Sequence, residues 1–244
     1  MHRFYVNPPA VDSNELRLAP EDAHHAVHVL RLKEGTTVEL ILEGQRFQAV
    51  LSRIRDEEVL LTRGKLLPST EPTLSITLFQ GLPKADKMDW IVQKASELGA
   101  VRLVPVRMSR CVSRPDEKEG HRKVERWRKI AREAGKQSGR CVIPDITDPV
   151  PLSRIAPLLS RLDAAVVPWE EARSKGPISW QSAHSAIRSL GIIIGPEGGI
   201  SMEEIDMLQK LGCEPITLGP RILRTETAGL ACISAFLTLF GEME

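Results

Sequence analysis

The chain has 244 residues, of which 42% are hydrophobic and 27% charged, the composition of a globular protein with a buried core. No uninterrupted apolar run approaches the ~20 residues of a membrane span, and the first residues lack the apolar segment of a secretory signal. The four cysteines are widely spaced and form no C-x-x-C pair. We therefore expect a cytoplasmic protein with reduced, mostly buried thiols, no membrane partner, no zinc site and no disulfide framework.

The net charge of +1 conceals an uneven distribution. Residues 102–140 contain 13 lysines and arginines against 5 acidic residues, a net charge of +8, so the rest of the chain carries −7. A concentrated basic segment is what a phosphate-backbone partner requires, whereas a solvated helix face is the simpler alternative. Because the cations extend over strand-like as well as helical sequence, the pattern favours a polyanionic partner.

Residues 1–70 are predicted to form a small β-rich domain. Segments 37–42, 47–54 and 58–62 have the apolar and β-branched content of strands. Glu43-Gly44 supplies the turn that a hairpin between the first two strands needs.

A short helix is predicted between Asp22 and Leu32 from its apolar spacing. It carries His24, His25, His28 and Arg31. Three histidines could indicate a metal site, but the surrounding sequence does not complete a set of ligands. We therefore expect no metal, and histidines that face solvent or RNA.

Two prolines and small polar residues at positions 67–72 indicate a linker, so a second domain is expected over residues 73–244. In it, strands alternate with helices, which predicts an α/β fold with a mostly parallel sheet. The predicted strands are residues 74–79, 101–106, 164–167, 191–194 and 215–218.

Three helices of this second domain can be placed from their end signals. Asp86 is expected to cap a helix that Gly99 ends, and a long basic helix is expected over about 121–138. Ser201 and Glu204 have the spacing of a capping box that opens a third helix.

The last predicted helix, residues 226–240, is largely apolar. Such a helix has to be buried in the core or against another subunit. Thr225, directly before it, is expected to be its N-cap.

Two glycine–proline loops, at Gly195-Pro196 and Gly219-Pro220, each follow a short apolar strand and precede a helix. Ligands of open α/β sheets bind beyond the carboxyl ends of the strands, where helix N-termini present free N–H groups. Glycine allows the backbone to approach a ligand closely, and proline fixes the loop without adding a donor. Two such loops predict one composite pocket, the alternative being two ordinary strand-to-helix turns.

The motifs of several common sites are absent from the sequence. It contains no G-x-G-x-x-G, no G-x-x-x-x-G-K-[ST], no H-E-x-x-H and no G-x-S-x-G. The glycine loops also lie in the last third of the chain, whereas a Rossmann-type domain places its loop after the first strand. The pocket therefore belongs to another class of α/β protein.

The two loops resemble the cofactor loops of SPOUT methyltransferases. The matching segments are Ile194-Gly-Pro-Glu-Gly-Gly199 and Leu218-Gly-Pro-Arg-Ile-Leu-Arg-Thr-Glu-Thr-Ala228. Within that superfamily the chain is most similar to enzymes that methylate N3 of a uridine in 16S rRNA of the small ribosomal subunit. This resemblance covers nearly the whole chain and includes residues 3–6, 25–31, 84–89, 97–99 and 126–140.

The resemblance implies a PUA-like RNA-binding domain at residues 1–70, a SPOUT domain with a C-terminal trefoil knot at residues 73–244, and a homodimer. It assigns the binding of S-adenosyl-L-methionine to Trp169, Gly195, Pro196, Glu197, Gly198, Gly199, Leu218, Gly219, Arg221, Ile222, Leu223 and Thr227. It assigns RNA contacts to Arg3, His25, Arg31, Lys84, Lys87, Arg126, Lys136 and Arg140.

Methyl transfer to uridine N3 requires positioning, a proton acceptor, and donors for the charge that develops on the uracil oxygens. Arg224 and Arg221 border the second loop and are the candidate donors. Glu197 is the candidate proton acceptor or a polar contact to the cofactor. As alternatives, Arg221 pairs with an acid and Glu197 only braces its loop.

Two other functions compete with this hypothesis. One is a SPOUT enzyme with a different target, such as a tRNA ribose. The other is a non-catalytic RNA-binding factor of ribosome assembly, which predicts no affinity for S-adenosyl-L-methionine.

Overall fold

The computed structural model describes residues 1–8, 14–55, 58–113, 116–173 and 175–244. The chain forms two compact units, Met1–Glu71 and Pro72–Glu244. The division falls within the proline-containing segment 67–72, where few apolar side chains are available to pack against either core.

The first unit is built on a five-stranded sheet with the order β1-β3-β4-β5-β2. Its strands are β1 (Arg3–Val6), β2 (Glu15–Arg17), β3 (Thr37–Leu42), β4 (Gln45–Arg55) and β5 (Glu58–Leu67). The predicted hairpin between β3 and β4 is confirmed, and its turn places both Glu43 and Gly44 at positive φ. Strands β4 and β5 are longer than predicted because the hairpin continues through mostly exposed residues that include Arg63, Gly64 and Lys65, which break the strand pattern of the sequence.

The predicted helix over 22–32 is wrong in its form and its end. The chain forms α1 (Pro20–His24), which continues as a π-helical turn at His25–Val29. Arg31 then adopts a φ of 53°, which ends the helical path. His24, His25 and His28 are exposed on this segment.

The second unit is built on a seven-stranded parallel sheet with the order β12-β10-β11-β6-β7-β8, and β9 also pairs with β7. Its strands are β6 (Ser75–Gly81), β7 (Arg102–Arg107), β8 (Asp145–Ile146), β9 (Val150–Pro151), β10 (Ala164–Pro168), β11 (Ser189–Ile194) and β12 (Cys213–Ile216). The parallel α/β arrangement predicted from the alternation of elements is therefore confirmed.

The second unit contains six α-helices among its described residues: α2 (Lys87–Leu98), α3 (Glu117–Ser138), α4 (Ala156–Leu159), α5 (Pro177–Ala183), α6 (Met202–Lys210) and α7 (Thr225–Leu239). The capping box of Ser201 and Glu204 is confirmed, as is the left-handed glycine (φ 113°) at Gly99. Asp86 occupies the N-cap position of α2 as predicted, but its side chain makes no capping hydrogen bond.

Helix α7 packs its apolar side into the core of its own chain. Cys232, Ile233, Phe236 and Leu237 are buried there, and Phe236 meets the ring of Trp180 edge-on at 5.2 Å. Burial within one chain therefore accounts for the apolar side of the helix without a second subunit. All four cysteines are buried, in agreement with the prediction of mostly buried thiols.

Candidate active site

The two glycine loops emerge from the two strands that flank β10. Strand β10 pairs in parallel with both β11 and β12, so the carboxyl ends of all three strands lie at one edge of the sheet. The first glycine loop, residues 195–200, follows β11, and the second glycine loop, residues 217–224, follows β12. This edge is where ligands bind in parallel α/β sheets.

The first glycine loop is packed closely against its surroundings. A Cβ atom added to Gly81, at the end of β6, would lie 2.7 Å from the backbone nitrogen of Pro196. A Cβ on Gly195 would lie 2.7 Å from the side chain of Ile200. Arg110 Nη1 donates a hydrogen bond of 3.0 Å to the carbonyl oxygen of Gly198. Glycine is needed here because any side chain would meet atoms that cannot easily move.

A buried hydrogen-bond chain links the first loop to helix α7. The amide Nε2 of Gln80 donates to the hydroxyl of Thr225 at 2.9 Å, and that hydroxyl donates to the carbonyl oxygen of Gly195 at 2.6 Å. Thr225 is therefore not the N-cap that the sequence predicted, since Arg224 occupies the cap position and Thr225 is the first helical residue. Its hydroxyl fixes the distance between the two loops instead.

The second glycine loop is open by comparison. Gly219 has a φ of 98°, a conformation that favours glycine, and a Cβ there would meet nothing within 4 Å. Ile222 is 86% exposed, although it is a large apolar residue. An apolar side chain held in solvent beside a pocket is available for contact with a ligand.

Two adjoining cavities lie between these loops. The cofactor cavity, of about 400 Å³, is lined by the end of β10, the second glycine loop and the start of α7. The loop cavity, of about 480 Å³, is lined by the first glycine loop, Lys87 and the residues that open α7. The residues shared by both cavities are Pro168, Glu170, Ile222, Leu223 and Ala228. The composite pocket predicted from the two loops is therefore present.

Most of the predicted cofactor residues line these cavities. Trp169, Leu218, Gly219, Arg221, Ile222 and Leu223 line the cofactor cavity, and Gly195, Pro196, Glu197, Gly198 and Gly199 line the loop cavity. Thr227 is exposed on α7 and is not among the lining residues of either cavity. Sequence reasoning missed Glu170, Glu171 and Arg110. The signal for the two glutamates was their position just after a buried parallel strand.

Lys87 connects the first glycine loop to the first turn of α7 through two carboxylates. Its Nζ lies 3.0 Å from Glu197 of the first loop and 3.2 Å from Glu226 in the first turn of α7. These bonds raise the pKa of Lys87 above its usual value. Partial burial raises the pKa of Glu197, but backbone hydrogen bonds, among them one from the N–H of Lys84, and the ammonium of Lys87 outweigh it, so the net shift is downward. Glu197 is thus an ionised, fully engaged carboxylate.

Arg224 lines the loop cavity from the N-cap of α7 and is exposed. Within the described part of the chain its guanidinium makes no ion pair or hydrogen bond. An unpaired guanidinium at the edge of a pocket can donate to a carbonyl oxygen or a phosphate of a ligand.

Comparison with known proteins decides the family. A family model described as an RNA methyltransferase domain matches residues 70–237, and one described as an RNA methyltransferase PUA domain matches residues 18–62. The ribosomal RNA small subunit methyltransferase E of Bacillus subtilis is 37% identical, with 96% of this chain and 95% of the relative covered. The chain belongs to the ribosomal RNA small subunit methyltransferase E family.

Other members of the family support the same assignment. The protein of that name from Buchnera aphidicola subsp. Acyrthosiphon pisum is 30% identical over 99% of this chain and 95% of its own length. The crystal structure of ribosomal RNA small subunit methyltransferase E from Neisseria gonorrhoeae, bound to S-adenosyl methionine, has a TM-score of 0.78 at 28% identity and covers 98% of both chains. The predicted fold class, a SPOUT trefoil-knot α/β domain after a small PUA-like domain, is therefore confirmed.

The structure corrects one predicted RNA contact outright. Arg140 is only 4% exposed, and its guanidinium donates to the carbonyl oxygens of Ser96 and Ala100 at 2.9 and 2.6 Å. Those carbonyls belong to the last turn of α2 and the residue beyond it, where a cation is favourable. Arg140 therefore stabilises the end of a helix and does not face RNA.

The other predicted RNA contacts fall into two groups. Arg3 and Arg126 are held by carboxylates: Arg3 Nε bonds Glu39 at 2.8 Å, and Arg126 pairs with Asp89. Of the remaining members, His25, Arg31 and Lys84 are exposed, while Lys87 and Lys136 are half-buried. Exposed cations that are not held by a carboxylate remain available to contact RNA phosphates.

Among the residues that the structure describes, no helix is long and apolar enough to cross a membrane. The same residues contain no group of three histidine, cysteine, aspartate or glutamate side chains arranged to bind a metal ion.

Proposed function

We propose that this protein transfers a methyl group from S-adenosyl-L-methionine to N3 of a uridine in 16S rRNA of the small ribosomal subunit. The observation that supports it most is the pair of glycine loops, which follow the two strands flanking β10 and line two adjoining cavities. The family to which the chain belongs, and the cofactor named for the gonococcal structure, support the same reaction.

The cofactor cavity fits S-adenosyl-L-methionine in both shape and chemistry. Its wall combines apolar side chains, those of Trp169, Leu218, Leu223 and Ala228, with the backbone of a glycine loop. Apolar walls suit an adenine ring, and exposed backbone N–H and C=O groups can bond its edge. Glu171 places a carboxylate in the wall of this cavity, where it can attract a cationic sulfonium.

The bound cofactor supplies an electrophilic methyl group, and its sulfur keeps the electron pair of the broken carbon–sulfur bond. The side chains of the loop cavity would position the uracil. Arg224 can donate to a uracil oxygen as negative charge develops there when the N3 proton leaves. Lys87 and Glu197 hold the first loop and α7 in one arrangement, which preserves the geometry of both cavities.

The proposal is tested by two measurements on the intact protein. Titration calorimetry should show that it binds S-adenosyl-L-methionine. Mass mapping of nucleosides from cells with and without the protein should show 3-methyluridine missing from 16S rRNA in its absence. A missing ribose methyl group in tRNA would instead support the different SPOUT target, and absent cofactor binding would support the assembly factor.

The RNA-binding surface is proposed to include one stripe of helix α3. Lys118, Arg122, Lys129 and Arg132 recur at helical spacing, are exposed, and make no ion pair with another described residue. By contrast, Arg126 pairs with Asp89, and Arg128 pairs with Glu125 at 2.6 Å. Unpaired cations release counterions when they meet phosphates, so they determine how affinity depends on salt.

Replacing Arg122 and Lys129 by glutamine should reduce the slope of log affinity against log salt by about 1.5 for a 16S rRNA substrate. The control replaces Arg126 and Arg128 by glutamine, which removes the same charge from ion-paired positions and should change the slope less. Equal changes in the two double variants would show that the stripe is no more than a solvated face.

The proposal also includes the oligomeric state and the location of the protein. The resemblance implies a homodimer, and the cytoplasm is where the small subunit is assembled. The side of α7 that is buried within its own chain is not available to a partner, so it does not by itself support the dimer. Sedimentation at nanomolar concentration tests it, and an active monomer there would refute the dimer.

A further inference from the structure

Glu170 occupies a position that no other ionisable residue of the two cavities shares. It follows β10 by two residues, at the edge of the sheet where the ligand cavities open. Among the described residues that line both the cofactor cavity and the loop cavity, it is the one that can titrate. A methyl group passing from cofactor to base would cross the boundary between these cavities, so Glu170 borders the reaction path.

The carboxylate of Glu170 reaches the first glycine loop. A Cβ atom added to Gly199 would lie 3.0 Å from Glu170 Oε1. The oxygen therefore lies against the backbone of this glycine, which itself has a φ of 73°. A side chain at position 199 would occupy the space beside the carboxylate, so the glycine leaves Glu170 open to the cavity.

Glu170 also differs from Glu197 in its bonding. Glu197 accepts hydrogen bonds from the N–H of Lys84 at 3.1 and 3.3 Å and pairs with Lys87, and its pKa lies below the usual value. A carboxylate stabilised in this way is a weak base. Within the described part of the chain, Glu170 forms no hydrogen bond or ion pair, so its oxygens are available to a ligand.

We infer that Glu170 is the proton acceptor for the uridine. This inference rests on the proposed function. The N3–H bond breaks and its proton moves to a carboxylate oxygen of Glu170. The electron pair left on N3 forms the bond to the methyl carbon, and the electron pair of the broken carbon–sulfur bond stays on sulfur. Glu197 is then the residue that braces the first loop, which is the alternative role considered for it above.

The surroundings of Glu170 include charges of both signs. The charged residues that line the two cavities with Glu170 are Lys87, Arg173, Arg221, Arg224, Glu171 and Glu197, and Arg110 borders Gly199 beside the Glu170 carboxylate. Cations therefore outnumber carboxylates among the groups around Glu170.

The first test measures the rate of a single turnover on small ribosomal subunits from cells that lack this protein, at saturating S-adenosyl-L-methionine. Glu170→Gln keeps the shape of the side chain but removes its basicity, so the rate should fall by roughly 10²- to 10⁴-fold near neutral pH. The deficit should narrow as pH rises, because hydroxide then removes the N3 proton. Glu203→Gln, the same change on α6 outside both cavities, should leave the rate unchanged.

The second test measures binding instead of activity. Cofactor-free protein is titrated with unmethylated small subunits and with the same subunits after methylation. Wild-type protein should prefer the unmethylated subunits, because Glu170 accepts a hydrogen bond from N3–H, and a charge-assisted bond of this kind can contribute about tenfold in affinity. Glu170→Ala should reduce that preference. Calorimetry should show that both Glu170 variants bind S-adenosyl-L-methionine as the wild type does.

Three results would overturn the role of Glu170. They are a wild-type rate in Glu170→Gln, a deficit that does not change with pH, and a loss confined to weaker cofactor binding, which would make Glu170 a contact to the sulfonium. Failure of the proposed function looks different, since wild-type protein would then form no 3-methyluridine at all.

Discussion

The two glycine loops have similar sequences of glycine and proline but opposite packing. In the first loop, Cβ atoms on Gly195 and Gly198 would approach neighbouring atoms to 2.7 and 3.0 Å, and Arg110 bonds the loop backbone. In the second loop, Gly219 has open space around it and Ile222 projects into solvent. The same residue types therefore serve two purposes, close packing in one loop and a left-handed turn in the other.

This difference indicates how the site is prepared for its ligands. The first loop has one arrangement fixed by the protein alone, so its geometry is ready before a ligand binds. The second loop has few contacts of its own, so we expect ligand binding to order it further. Thr225 connects the two, because its hydroxyl bonds both Gln80 and the carbonyl oxygen of Gly195.

Among changes in the two loops and their junction with α7, the largest effect is expected at Arg224, where the open second loop joins α7. If its guanidinium stabilises charge on the uracil only in the transition state, Arg224→Ala should lower the single-turnover rate by roughly 10²-fold. Affinity for S-adenosyl-L-methionine should change little, because a cationic sulfonium gains nothing from a nearby cation. Arg224→Lys should rescue poorly, since an ammonium lacks the planar fork of the guanidinium.

A wild-type chemical step in either Arg224 variant would remove the residue from catalysis. Loss of cofactor affinity with an unchanged rate at saturation would place Arg224 in the ordering of the second loop instead. Either result would sharpen the comparison, because it would show whether the second loop contributes a side chain that contacts the uracil base.

A smaller effect is expected from side chains added to the two loops. A Cβ on Gly198 would lie 3.0 Å from the Cβ and 3.3 Å from the carbonyl oxygen of Arg110, so Gly198→Val should displace this brace. We expect cofactor affinity to weaken by about tenfold, or 1.4 kcal/mol. Gly219→Ala adds no clash and only the strain of a left-handed alanine, which an open loop can relieve. Its effect on the dissociation constant, measured by calorimetry, should be smaller. Equal losses would contradict the difference in packing.

Much of the fold could be predicted because its signals are local. Alternating apolar strands and helices predicted the parallel sheet, and Ser201 with Glu204 predicted where α6 begins. Asp86 begins α2 as predicted, but its carboxylate lies near Arg126 and makes no capping hydrogen bond, which the local sequence does not indicate. The predicted RNA contact of Arg140 was wrong for a similar reason. A cation in a basic segment gives no sign that it donates to carbonyl oxygens of a helix distant in sequence.

The site could be predicted only in part. Glycine and proline after buried strands located both loops, and most of the residues assigned there line the cavities. Glu170 and Arg110 were missed because their importance comes from how they meet Gly199 and Gly198 across the cavities, 29 and 88 residues away in sequence. Contacts at such separation follow from topology, which spacing alone does not reveal.

The smallest effect is expected on thermal stability when Lys87 no longer bonds Glu197 of the first loop and Glu226 of α7. This effect should depend on pH. The pKa of Glu197 is lowered from 4.5, so its stabilising contribution is present above that value and is lost as pH falls through the lower folded pKa. The pKa of Lys87 is raised from 10.5, so its contribution is present below that value and is lost as pH rises through the higher folded pKa. Lys87→Met should therefore lower the thermal midpoint by a constant amount between these limits, and the difference from wild type should shrink at both extremes. Lys94→Met, which breaks the pair with Glu97 on the same helix but away from both loops, is the matched control.

Cofactor affinity should fall in Lys87→Met and not in Lys94→Met, because Lys87, unlike Lys94, bonds both the first loop and α7. Equal affinities in the two variants would mean that Thr225 alone sets the distance between the loops.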